Sequence, residues 1–153
     1  MLETFKRIFK TGESISSKED QERKLEIATC VILLEAATAD SKLSKEELQK
    51  IIDLLKTRFQ VTDSSVDELI ETSKKERESS GLWYFTNLIN ERLSLDEKYD
   101  LMEMIWRVIY SDKTLDEFEN YIAHELLHLL RLDHPKFIEL KLKVKNACDI
   151  KSD

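Results

Sequence analysis

The sequence predicts an all-α protein, seven to eight helices forming one bundle built from two pseudo-symmetric helical halves. Three observations carry that expectation. The 153 residues include only 2 glycines and 1 proline, against usual shares of about 7% and 5%, and tight hairpins and sheet-rich folds depend on those residues. Apolar residues recur at three- and four-residue spacing along most of the chain. Helix-start signals recur as well: Ser44 with Glu47 and Ser94 with Glu97 both have capping-box spacing, in which the serine oxygen and the glutamate satisfy first-turn amides reciprocally.

Taken in order, residues 1–16 read as an N-terminal amphipathic helix and linker, and 17–150 as the helical domain. Within Met1 to Lys10, Leu2, Phe5, Ile8 and Phe9 share a helical face. Such a helix can dock on the bundle, on a partner or on a membrane surface. Thr11 to Ser17 is polar and holds one of the glycines, which predicts a linker. Ser17 precedes a helix expected to reach Ala39, and the Ser44 box opens one ending near Phe59. Ser64 with Asp67 starts another, running to about Lys75. Gly81 precedes a helix through Trp83, Phe85, Leu88 and Ile89, and the Ser94 box opens one to about Tyr110. Asp116 with Glu119 starts a helix to about Arg131. Asp133-His134-Pro135 starts the last, because proline suits the first turn of a helix. The core expected from these stripes includes Met102, Ile105, Trp106 and Ile109, together with Cys30 and the Trp83-Tyr84-Phe85 cluster, for which a partner groove is the alternative to core.

The chain also repeats itself. A shift of 72 places Asp40, Leu43, Glu47, Leu54 and Leu55 on Asp112, Leu115, Glu119, Leu126 and Leu127. The same shift pairs Leu33, Leu34, Ala36 and Ala37 with Ile105, Trp106, Val108 and Ile109. One deletion later, Phe59, Val61, Val66 and Leu69 fall on Leu130, Leu132, Phe137 and Leu140. Helix, short acidic turn, capped helix, turn and helix therefore occur twice.

Charge and cysteine usage bound the function. With 31 acids against 24 bases the net charge is -7, which argues against a nucleic-acid partner. Nine acids and three bases fall in residues 96–125, so the second half carries an acidic pole. Cys30 and Cys148 have neither disulfide-framework nor zinc-knuckle spacing. The start of the chain has no unbroken apolar stretch of the kind a signal peptide needs, and the aliphatic run Val31 to Leu34 is too short to cross a bilayer. A cytoplasmic protein is expected, with Met1–Lys10 as the candidate for peripheral membrane attachment.

The two turns carry a family resemblance. Ala39-Asp40-Ser41-Lys42-Leu43-Ser44-Lys45-Glu46-Glu47 resembles the acidic helix-helix turn of the TerB-like (tellurite-resistance protein B) family, and Ser111-Asp112-Lys113-Thr114-Leu115-Asp116-Glu117-Phe118-Glu119 resembles its second copy. Leu82 to Leu93 is similar to the middle helix of that family's uncharacterised bacterial branch, and the stretch from Pro135 to its closing helix. The similarity spans roughly residues 20–145. It implies a non-enzymatic all-α module tied to bacterial stress or metal resistance, with a protein partner and no tightly held cofactor. It also implies an acidic surface for a divalent cation such as Ca2+, with Asp40 and Glu47 as the pair of the first turn and Asp112 and Glu119 as that of the second. The sequence departs from the family's Ala-Asp-Gly pattern, with Ser41 and Lys113 at the glycine positions. A non-glycine residue at positive φ costs about 1 kcal/mol there, and Lys113 sets a cation beside Asp112. An EF-hand would need oxygen ligands where Ala36, Thr38, Val108 and Tyr110 stand. The same acids can serve simply as helix caps.

His124-Glu125-Leu126-Leu127-His128 spells H-E-x-x-H, and His134 stands where a third zinc ligand would follow. An alternative zinc site is therefore His124, His128 and His134, with Glu125 activating the bound water. Against it, Arg131 occupies the glycine position and is expected to continue the helix. No methionine follows Met104, and no strand is predicted to align a peptide. The wheel places His124 and His128 on the solvated side, opposite Ile122, Leu126 and Leu130.

Overall fold

The computed structural model describes the backbone of residues 2–38, 43–112 and 117–152, and the side chains of 18–38, 43–111 and 120–148. Among the described residues there are seven α-helices, one 3-10 turn and no strand. They are α1 (Leu2–Ala37), α2 (Lys45–Phe59), α3 (Asp63–Ser79), α4 (Leu82–Arg92), α5 (Leu95–Ile109), the 3-10 turn Tyr110–Asp112, α6 (Glu117–Leu129) and α7 (His134–Ser152).

Local sequence accounts for most boundaries. The box at Ser44 forms as expected: its Oγ accepts from Glu47 N–H at 3.0 Å, and its own N–H donates to Glu47 Oε1 at 3.1 Å. The box at Ser94 repeats this with Glu97, at 3.2 and 2.9 Å. Hydrogen bonds from Ser94, its backbone N–H first, hold the Glu97 carboxyl below its ordinary range. Helix α3 opens earlier than Ser64, because Thr62 is the cap and Ser65 answers it from the third position. The box expected at Asp116 lies outside the described residues, although α6 starts directly after it.

Two expectations fail. Thr11–Ser17 is not a linker but continuous α-helix, so α1 neither starts at Ser17 nor has a break before it. Gly12 is the segment's one strong helix breaker and costs only about 1 kcal/mol, too little to interrupt a helix without proline. The second failure concerns α4, two of whose three clustered aromatic residues stand outside the core.

The repeat is real in three dimensions. Under its shift the end of α1 (Ala37) falls on the end of α5 (Ile109), the start of α2 (Lys45) on that of α6 (Glu117), and the start of α3 (Asp63) on that of α7 (His134). Gln60 (φ 55°) and Arg131 (φ 57°) are equivalent too, and they are the two non-glycine residues at positive φ among the described residues. Each half is thus a helix followed by two more, the second of them folded back on it, α3 against α1 and α7 against α5. Helices α1 and α5 meet at the centre, and α4 is the piece outside the repeat, packed on α1.

The core sits along the α1–α5 contact. Trp106, Phe85, Phe137, Ile32 and Leu33 are among its largest fully buried side chains, and Cys30 is buried with them. The Trp106 and Phe137 rings lie 4.9 Å apart, and Trp106 Nε1–H donates to the Phe137 carbonyl at 3.2 Å. That bond satisfies the one polar atom of a ring whose deletion from a core costs about 3–5 kcal/mol. Burial pushes the Cys30 thiol up to about 11, against the weaker pull of the Ser73 hydroxyl and of the Lys74 and Arg23 charges.

Candidate functional site

The two acidic turns start from equivalent places, the ends of α1 and α5. Asp40 lies outside the described residues. Asp112 closes the 3-10 turn, while its side chain and that of Glu119 are likewise outside them. Glu47 is described: it is 2% exposed and bound into the first cap. Helix α2 packs against the 3-10 turn, so residues leaving the first turn abut residues that begin the second. One Glu47 oxygen takes the Ser44 N–H, and that carboxylate therefore already supports the turn's backbone.

The histidines part company. His128 is exposed, as the wheel predicts, but His124 is half-buried. Its Nδ1–H donates to the Asn120 carbonyl at 2.9 Å, because a carbonyl can only accept. Its ring meets Phe137 edge-on at 5.0 Å and His134 at 5.9 Å. The wheel missed this because the first turn of α7 sets His134 and Phe137 against that flank of α6, a tertiary contact with no signature in one helix. Arg131 corrects a second expectation, since it does end the helix. Its N–H donates to the His128 carbonyl at 3.1 Å and Leu132 N–H to that of Leu127 at 3.0 Å, a Schellman closure built on an arginine. Among the described residues no three His, Cys, Asp or Glu side chains converge as metal ligands.

Sequence reasoning passed over Lys98. It is 9% exposed, and its Nζ donates to the Leu130 carbonyl at 2.9 Å and to Asn90 Oδ1 at 3.2 Å. Asn90 in turn gives its Nδ2–H to the Leu129 carbonyl at 2.8 Å. Together they cap the end of α6, and Tyr99 Oη accepts from Asp133 N–H at 3.1 Å just beyond. Burial holds the Lys98 ammonium below its usual pKa, with the Arg131 charge adding to the effect. The signal was present: Lys98 stands on the register of Met102, Ile105 and Ile109, a lysine on an otherwise apolar stripe.

Glu103 ties α5 to α7. It accepts from Lys143 Nζ at 2.6 Å and from Arg107 at 3.0 and 3.2 Å. Burial would raise its carboxyl, but those two cations outweigh it and hold it low. On α4 the structure exposes what was expected in the core. Trp83 is 64% and Tyr84 46% exposed, whereas Phe85 is buried. Phe85, Thr86 and Ile89 form the buried face of this short helix, and its first two aromatic residues fall away from it.

No helix among the described residues is long and apolar enough to cross a membrane. No curated protein and no solved structure matches the chain. A family model does: that of tellurite resistance protein TerB, over residues 26–142. That range takes in the repeat from the middle of α1 into α7, with both acidic turns, and the chain therefore belongs to the TerB family.

Proposed function

We propose that this chain is a non-enzymatic TerB module of a cytoplasmic bacterial stress or metal-response system, binding a divalent cation weakly through its acidic turns. The observation that supports this reading is the equivalent start of the two turns, one after α1 and one after α5, with α2 packed on the 3-10 turn that opens the second. A titration with calcium, followed by amide chemical shifts, tests it. Affinity of about 0.1–1 mM is expected, since oxygen ligands are few. Asp40→Asn or Asp112→Asn should weaken it most, with the Glu47 and Glu119 variants next. No calcium-dependent heat or shift would leave these acids with capping alone.

A second observation favours a protein partner for the same module. Trp83 and Tyr84 stand exposed on the helix that the repeat does not use, and tryptophan and tyrosine are enriched among the residues that anchor interfaces. Trp83→Ala should leave the melting temperature unchanged while abolishing co-purification of a partner from the source cell. Unchanged co-purification would move the partner surface elsewhere.

A further inference from the structure

The repeat supplies an internal comparison for one cavity. In the first half, between α1 and α3, Arg77 Nε reaches Glu35 Oε1 at 2.6 Å and its Nη1 reaches the Ser80 carbonyl at 3.1 Å. The space left there is about 150 Å³. In the second half the equivalent positions hold Cys148 for Arg77 and Arg107 for Glu35. The side chain that crosses the groove is cut back to a thiol, and a carboxylate on the wall has become a guanidinium. Arg107 turns along its own helix to Glu103 instead. What remains is a groove of about 520 Å³ between the start of α2, the end of α5 and the end of α7, within the usual range of about 300–1,000 Å³ for small-molecule sites.

Charge says what fits. Among the described residues the groove carries Lys45, Lys50 and Arg107 against Glu46 and Asp53, an excess of one positive charge in a chain of net charge -7. Among the described residues neither Lys45 nor Lys50 is ion-paired, whereas Asp53 already accepts from Gln49 at 2.9 Å. Tyr110, Ala147 and Cys148 give the groove an apolar wall. We propose that this groove binds a small amphipathic monoanion, a carboxylate on a short apolar chain. The carboxylate takes the place facing Lys50 and Arg107, and the chain lies against Tyr110 and Cys148. An excess of one charge suits a monoanion better than a phosphate dianion. The groove borders the acidic turns, sharing Lys45, Glu46 and Ser111 with them, but its ligand is an anion and its test needs no cation.

Octanoate is the probe, and Cys148 reports on it. Cys30 is buried, so iodoacetamide on the native full-length chain should alkylate Cys148 alone, as peptide mass mapping would show. Octanoate should slow that alkylation saturably at millimolar or lower concentration. It should also shift the amides of Lys45 to Asp53, Arg107 to Ser111 and Ala147 to Cys148. Octanol should need at least about tenfold more, and inorganic phosphate should give no protection. Lys50→Gln should weaken octanoate at least about threefold. Cys148→Phe, which fills the apolar wall without changing the charge, should abolish the shifts while leaving the fold intact by circular dichroism. No saturable protection, or equal protection by octanol, overturns the proposal. Octanoate shifts that survive in a folded Cys148→Phe variant do so as well.

Discussion

Replacing Lys98 by methionine keeps most of the side chain's length and its apolar stem but removes the ammonium that caps α6. Two acceptors lose their donor, the Leu130 carbonyl at 2.9 Å and Asn90 Oδ1 at 3.2 Å. Hydrogen bonds to a charged group are worth about 1.5–3 kcal/mol, and a cation at a helix C-terminus adds about 0.3–1 kcal/mol. Against this stands the desolvation of the ammonium, which the variant is spared. The net loss should be about 1–2 kcal/mol, or a fall of about 2–8 °C in melting temperature at this size. The pH dependence separates the contributions. The folded-state pKa of Lys98 lies below its ordinary value of 10.5, so between the two values the unfolded chain binds the extra proton. Stability then rises with pH across that window. The gap between wild type and Lys98→Met, measured by urea unfolding from pH 7 to about 10, should therefore widen as pH increases. Asn90→Ala closes a double-mutant cycle, and the coupling should exceed about 0.5 kcal/mol because both residues hold one helix end. A gap that narrows with pH, or a cycle without coupling, would refute this account of the cap.

Cys30 supplies an alkaline limit: its folded-state pKa is raised from 9.0 to about 11, so its contribution is intact below pH 9 and is lost as pH climbs through 11. The loss should reach at most about 2–3 kcal/mol and be absent in Cys30→Ala, which urea unfolding at pH 8 and about 10.5 would show. His128→Ala should change stability by less than about 0.5 kcal/mol, whereas His124→Ala should cost about 1 kcal/mol through its ring contacts and its bond to Asn120. EDTA should leave both melting temperatures unmoved, and peptidase activity lost in Glu125→Gln with metal retained would instead install the zinc alternative. Deleting residues 1–16 should leave a folded domain with its melting temperature within about 5 °C. Flotation of the full chain with anionic liposomes, compared with the deletion, then tests Met1–Lys10 as a peripheral anchor.

What a single sequence shows is what short-range chemistry controls. Ser44-Glu47 and Ser94-Glu97 predicted the starts of α2 and α5 to the residue, because a capping box is satisfied within one turn. The repeat was legible because equivalent positions must be buried twice, as Leu33 with Ile105 and Val66 with Phe137 are. Failures began where a distant element decides. Nothing in α6 alone says that α7 returns over His124, and nothing in Trp83-Tyr84-Phe85 says that α4 buries only one flank. Arg131 misled because a residue's preference for continuing a helix is weak beside the geometry that folds α7 back onto α5. Of the candidate cation ligands, only Glu47 has a described side chain, and its capping role was the part that spacing could foretell.

The positive-φ arginine explains why Asn90 and Lys98 stand where they do. Both halves turn at the same point, Gln60 in one and Arg131 in the other, and a non-glycine residue there costs about 1 kcal/mol. A turned helix end also leaves carbonyls that need donors. At Arg131 the closure takes the carbonyls of Leu127 and His128 and leaves those of Leu129 and Leu130. The latter two fall to Asn90 and Lys98. Those donors come from α4 and α5, so the end of α6 is fastened to the one helix outside the repeat. The first half has no counterpart to Lys98, since the shift that pairs α5 with α1 puts Glu26 at its position. The apolar stripes are therefore held in common by the two halves, and the polar positions are where they differ. Lys98 against Glu26 fixes a helix end in one half only, and Cys148 against Arg77 leaves a groove that α2 of the first half helps to line.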